Sequence, residues 1–267
     1  MQVPPPDSLV ALAARKQLPD HQLMDAATVE WIARNRPGFP ATRLAVASCP
    51  KLRPSSRHLL AAAGIPAAWF AVPALAESIH GVRHGMRTAA YAALLGELVE
   101  LDDEAAAALI IAAAVHDCRR LHDKDDIGHG ARAARWLATH TVPVAKHFAV
   151  SAEVLRQLWQ ARIAVRLHDL PYERFRPAQV RAYQQVRQLS DLLKAADALD
   201  RYRLPKLKWW PDTQRVRVEA FGALLRFAYE LVLETERAWV HDGAHRPASA
   251  AGSAALVAGA LAARGLL

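Results

Sequence analysis

A run without a single polar side chain, Ala105 to Val115, ends abruptly on His116-Asp117. Eleven apolar residues are too few to cross a bilayer, so the rest of the chain has to cover them. Leu109, Ala112 and His116 share one face at helical spacing. The pattern predicts a helix over 102–117, buried on most sides. Its last turn then carries an imidazole and a carboxylate together into the interior. Both are good ligands for divalent iron, manganese or cobalt, and neither is tolerated there without a partner.

The surrounding sequence fits a helical protein. The chain is 52% hydrophobic and only 7% aromatic, with Ala and Leu dominant, which excludes a disordered polymer and disfavours a β-sandwich. Helical patterns also follow one another over 77–98, 129–140, 152–168, 178–199 and 214–238. Their connections are short and polar, and no sustained period-two alternation appears. The expected fold class is all-α: a helical bundle core over 76–205, an N-terminal appendage over 1–75 and a C-terminal helical extension over 206–267. In the appendage, Ser8 to Lys16 and Asp25 to Arg36 open on N-cap residues, and Ser55 to Ala63 reads as a further helix. Residues 31–76 carry Arg34, Arg36, Arg43, Lys51, Arg53 and Arg57 and no acid, and prolines interrupt them. The tail from His241 to Ala251 is loop-like, and Ser253 is placed to cap a last Ala-rich helix to about Arg264. No internal repeat is visible.

Other ligand-type residues fall on the inner faces of these helices. His80, His84 and Arg87 are spaced by helical turns, with Tyr91 and Leu94 continuing the stripe. His168 ends the face of Leu158 and Val165. Asp197 follows Val186, Leu189 and Leu193, where an unpaired carboxylate is costly. His129 opens another helix above Ala133 and Trp136. Asp200, one turn beyond Asp197, rivals it. His122, His140, His147 and His241 fit no part of the pattern and read as ordinary. Cys49 and Cys118 are too few for a disulfide framework or a four-thiolate zinc site.

In order, His84, then His116-Asp117, then Asp197 resembles the HD superfamily of metal-dependent phosphohydrolases. Ile79-His-Gly-Val-Arg-His84-Gly-Met-Arg87 is similar to its first-histidine segment, His116-Asp-Cys-Arg-Arg120 to its H-D-x-x-K/R signature, and Lys194-Ala-Ala-Asp197-Ala-Leu-Asp200-Arg to its final K-x-A-D-x-L segment. The likeness covers residues 77–205. It implies that His84, His116, Asp117 and Asp197 ligate one divalent transition metal (Fe, Mn, Co, Ni or Zn). Some members hold two ions with two additional histidines, and His129 and His168 stand in that interval, with Asp117 as the bridge.

The resemblance further implies hydrolysis of a phosphomonoester or phosphodiester bond in a nucleotide or other small phosphate compound. A bound ion supplies a hydroxide near neutral pH and offsets phosphoryl charge. Arg87 and Arg120 are then expected to clamp phosphate oxygens, and His80, His129 or Asp126 to protonate the leaving oxygen. The alternative for the two arginines is a salt bridge to Glu77 or Asp123. The segment from Asp200 to Trp210 mixes Arg201, Arg203, Lys206 and Lys208 with Tyr202, Trp209 and Trp210. It suits either a base and its phosphates or a tryptophan anchor for the following helix. The formal charge of +8 agrees with an anionic partner, nucleic acid included. Two other functions remain: a diiron oxygenase cleaving a C–C or C–P bond, which the six-ligand set also permits, and a nucleotide- or nucleic-acid-binding regulator with an idle metal site. The opening Met1-Gln-Val-Pro-Pro-Pro lacks a signal-peptide pattern, so the expected location is the cytoplasm, with no membrane partner. A homo-oligomer is compatible.

Overall fold

The computed structural model describes residues 4–39, 50–243 and 249–267. Arg43, Cys49 and part of the loop-like tail lie outside them. Among the described residues every regular element is helical. The α-helices are α1 (Leu9–Ala14), α2 (Ala26–Arg34), α3 (Pro54–Ala61), α4 (Val82–Leu98), α5 (Asp103–Val115), α6 (His129–Thr139), α7 (Thr141–His147), α8 (Ala152–Leu167), α9 (Pro177–Gln185), α10 (Arg187–Leu199), α11 (Phe221–Gly243) and α12 (Ala250–Ala262). None is long and apolar enough to cross a membrane.

The apolar run forms α5, and α5 is the centre of the protein. The Asp102 side chain accepts from the Ala105 N–H to start it, with Asp103 and Glu104 in the positive first turn. Every residue from Ala106 to Val115 is buried. Helices α3, α4, α8 and α10 all pack against it, because a helix apolar all round offers no solvent face. Each buried Leu or Ile contributes about 1.5–3 kcal/mol. The N-terminal segment joins the same core through Leu9, Ile32, Leu60 and Phe70, and α2 packs on α11.

Element boundaries differ from the sequence reading where polar side chains compete for backbone. The first core helix begins at Val82 and not at residue 77. Pro73–Glu77 is a short 3-10 helix, and the Ser78 hydroxyl accepts from the His80 N–H while donating to Asp123, a local turn that competes with helix. His80 therefore precedes α4. The pattern over 178–199 breaks at Val186 (φ −136°). The break leaves α9 with only Tyr183 buried and turns Leu189, Leu192, Leu193 and Leu199 of α10 inward. Likewise α11 starts at Phe221, after a 3-10 turn at Thr213–Arg215. Ser249, not Ser253, caps α12 by accepting from the Gly252 N–H. Ser253 is buried, donating to Glu77 and accepting from Arg83.

Candidate metal centre

Five helices deliver one or two ligand-type residues each, and all of these sit at helix ends. His84 lies in the first turn of α4 and His116 caps the C-terminus of α5, with Asp117 next to it. His129 opens α6, His168 caps the C-terminus of α8, and Asp197 lies in the last turn of α10. Helix ends suit this task because one residue can turn inward without interrupting the ladder of hydrogen bonds. Two glycines let the ends meet. A Cβ on Gly85 would stand 2.9 Å from the Ala114 carbonyl, where α4 crosses α5. A Cβ on Gly130 would stand 2.6 Å from the Val165 carbonyl and 2.9 Å from His168 Nδ1, where α6 crosses α8. Each glycine directly follows a histidine of the cluster.

The four rings are oriented alike. His116 Nδ1 donates to the Ala113 carbonyl, His129 Nδ1 to Asp126 and His168 Nδ1 to Val165, each at 2.7 Å. His84 Nδ1 donates to Asp200 Oδ2 at 2.9 Å. Every neutral ring then presents a bare Nε2, the arrangement that an outer partner imposes on a metal-ligating histidine. The Nε2 atoms face one another in pairs, His84 with His116 at 3.0 Å and His129 with His168 at 3.0 Å. Two lone pairs at that distance repel unless a proton or a cation lies between them.

Asp117 joins the pairs. Its Oδ1 stands 2.9 Å from His129 Nε2, 3.4 Å from His168 Nε2 and 3.8 Å from His116 Nε2. Its Oδ2 stands 3.5 Å from His84 Nε2. Asp197 Oδ1 lies 3.5 Å from His84 Nε2 and 3.8 Å from His116 Nε2. Atoms about 2.1 Å from a common ion are about 3.0 Å apart at a right angle and about 3.4 Å apart at a tetrahedral one. These separations fall close to that range, and Asp117 Oδ1 is buried with no hydrogen-bond donor. The donor set fits a divalent cation. His84 and His116 face Asp197 as one group, with Asp117 Oδ2 on the His84 side; His129 and His168 gather on Asp117 Oδ1, which His116 also approaches.

The electrostatics of the cluster favour added positive charge. Burial alone would raise the Asp117 carboxyl, but His116, Arg120 and His129 hold it well below its usual range. Asp197 is likewise lowered against burial, by His116 and His84. Burial pushes His116 and His129 down, yet Asp117 outweighs it and both are raised, with Asp197 aiding His116. His168, buried and facing the other two imidazoles, is lowered.

The remaining predicted site residues occupy different positions. Arg120 borders the cluster: one nitrogen lies 3.7 Å from Asp117 Oδ2 and 3.4 Å from the His129 ring. Its other nitrogens donate to the His122 and Lys124 carbonyls. His80 Nδ1 is 2.9 Å from Asp117 Oδ2 and accepts from Arg203 at 2.9 Å. Burial, Arg120 and Arg203 hold its pKa well below the ordinary value, so His80 is neutral and ill suited to donate a proton. Asp126 accepts from the Leu121 N–H and from Arg132, and those contacts keep it ionised against burial. It ties the 121–126 loop. Arg201 is exposed.

Arg87 differs most from expectation. It is fully buried and its guanidinium is spent on Asp200, Thr235 and Glu236. All three of its guanidinium nitrogens are engaged by these groups, and it bridges to neither Glu77 nor Asp123. Arg87 holds Asp200, and Asp200 holds His84, so its influence on the cluster is positional. Asp200 itself is engaged by His84, Arg87 and Tyr91, which leaves Asp197 as the α10 carboxylate facing the imidazoles. Sequence reasoning missed Glu236, which pairs with Arg83 and Arg87. It also missed Asp169, whose Oδ2 accepts from the Gly128 N–H at the start of α6. Its adjacency to His168 repeats the His116-Asp117 pairing and was the available signal. Lys194 donates to the His168 and Leu170 carbonyls, fastening the end of α8 to α10, and burial brings its pKa down to about 8.

No protein-family model, no curated protein and no solved structure matches the chain.

Proposed function

We propose that the protein is a metal-dependent phosphohydrolase of the HD type, cleaving a phosphomonoester or phosphodiester bond in a nucleotide or another small phosphate compound. The observation that carries this reading is the convergence of four Nδ1-tethered imidazoles on Asp117, whose buried Oδ1 lacks a donor. His84, His116, Asp117 and Asp197 are assigned as ligands of one divalent cation. His129 and His168, with Asp117 shared, are assigned to a second. Such a cation supplies Lewis acidity toward a phosphoryl oxygen and acidifies water.

The chain's own residues do the rest. Asp200 and the Ala113, Asp126 and Val165 carbonyls fix the tautomers, so no reorganisation is needed when charge develops. Arg120, anchored by two carbonyls, presents a fixed positive charge at the edge of Asp117 and orients a phosphate oxygen. Arg203, buried and spent on the Ile79 and Asp200 carbonyls, donates to neutral His80 and so positions that ring beside Asp117 Oδ2. Arg201, exposed beside Asp200, is left to meet a more distant anionic group of the substrate.

The test pairs metal analysis with phosphate release. Protein purified without oxygen carries one or two transition-metal ions per chain and releases phosphate from a panel of nucleotides and simple esters. His116→Ala and Asp117→Ala lose both properties. Phosphate release that survives these substitutions overturns the reading. Oxygen uptake by the iron-loaded protein without phosphate release does so as well, in favour of oxygenase chemistry.

A further inference from the structure

Helices α6 and α8 carry His129 and His168 inward at their ends, and their outer faces form a groove of about 340 Å³. Ala131, Ala134 and Ala138 of α6 recur at helical spacing and keep the floor low. Trp159, Arg162 and Arg166 of α8 stand along the wall, and Arg135 of α6 faces them. Trp159 is 41% exposed.

The groove has no acid in its lining. Arg135, Arg162 and Arg166 are exposed, and none forms a side-chain hydrogen bond or ion pair with any described residue. Arg162 and Arg166 are one turn apart, a spacing at which like charges repel. Six residues before Arg162 on α8, Arg156 is paired with Glu153 at 3.1 Å. The unbalanced charge is therefore confined to the groove and does not continue along the helix. A guanidinium fork matches a phosphate group in two hydrogen bonds, and an exposed indole face stacks a base of any sequence. The volume is that of a small-ligand site, and it offers one aromatic platform.

We propose that this groove binds one nucleotide, its base on Trp159 and its phosphates on Arg135, Arg162 and Arg166, separately from the metal centre. A polymer would need a longer track of charge than the pairing of Arg156 leaves.

Calorimetric titration of the metal-loaded full-length protein with β,γ-imido analogues of ATP and GTP tests this. The four side chains are exposed, so their replacement leaves the fold intact, as circular dichroism can check. Each of Arg135→Ala, Arg162→Ala and Arg166→Ala is expected to lower affinity about tenfold. Trp159→Ala is expected to weaken the nucleotide analogues about tenfold and to leave inorganic tripolyphosphate unchanged. Protein stripped of metal by a chelator retains this binding. Unchanged affinity in the arginine variants overturns the proposal. So does nucleotide binding that disappears with the metal, or an oligonucleotide or acidic peptide that uses these arginines where the nucleotides do not bind.

Discussion

Two clusters of buried polar groups meet at His84 and satisfy themselves in opposite ways. Behind the ring, Asp200 and Glu236 are matched by the guanidinium of Arg87, with Arg83 and Arg203 adding further donors. In front of it, bare imidazole nitrogens face each other and face Asp117 and Asp197. The first cluster contains the charges that balance it. The second is composed almost entirely of acceptors, which in a dry interior is tolerable only when a cation or protons are supplied. A structural ion-pair network thus stands beside a candidate ligand site, although their aspartates, Asp200 and Asp197, are three residues apart at the end of α10.

The largest expected effect is on the balanced cluster. Arg87→Ala strands Asp200 and Glu236 and should cost about 3–5 kcal/mol of folding stability, read by chemical denaturation with and without metal. A loss below about 1 kcal/mol would show that the network is not the support described. Asp200→Asn removes the charged outer partner of His84. It should weaken metal binding about 10–100-fold, measured by competition with a chromophoric chelator, and unchanged affinity would sever the link between the clusters. Gly130→Ala forces α6 away from α8 at the Val165 carbonyl. We expect a stability loss of about 1–3 kcal/mol together with weaker metal binding, measured as metal retained per chain; unchanged metal retention would separate His129 and His168 from metal binding. The smallest effect is on pH. Metal binding requires bare Nε2 atoms, and Asp117 holds His116 and His129 raised above the ordinary histidine value despite burial. Protons therefore compete, and metal affinity should fall as pH drops from about 8 to about 6. Affinity that rises over that range would contradict the tautomer assignment.

Much of this was readable in the chain. The polar-free run before His116-Asp117 required a central helix, and helical spacing placed His84, His168 and Asp197 on inward faces. That signal is strong because burying eleven apolar residues leaves the backbone few alternatives. Local turn chemistry was weaker: Ser78 ended the reading of His80 as helical, and Val186 split a continuous pattern without any proline or glycine to announce it.

The all-α class and the candidate ligands are legible along the chain, since periodicity fixes which side chains share a face. It did not determine which charges meet. Arg87 and Arg120 look equivalent along the chain, yet one is locked between Asp200 and Glu236 and the other borders Asp117. Likewise Asp197 and Asp200, one turn apart, face opposite sides of His84. Those outcomes depend on contacts between residues far apart in sequence, across helix crossings that Gly85 and Gly130 allow. Helix packing settles them, because pairing in a buried site is set by distances of a few ångströms that no single helix encodes.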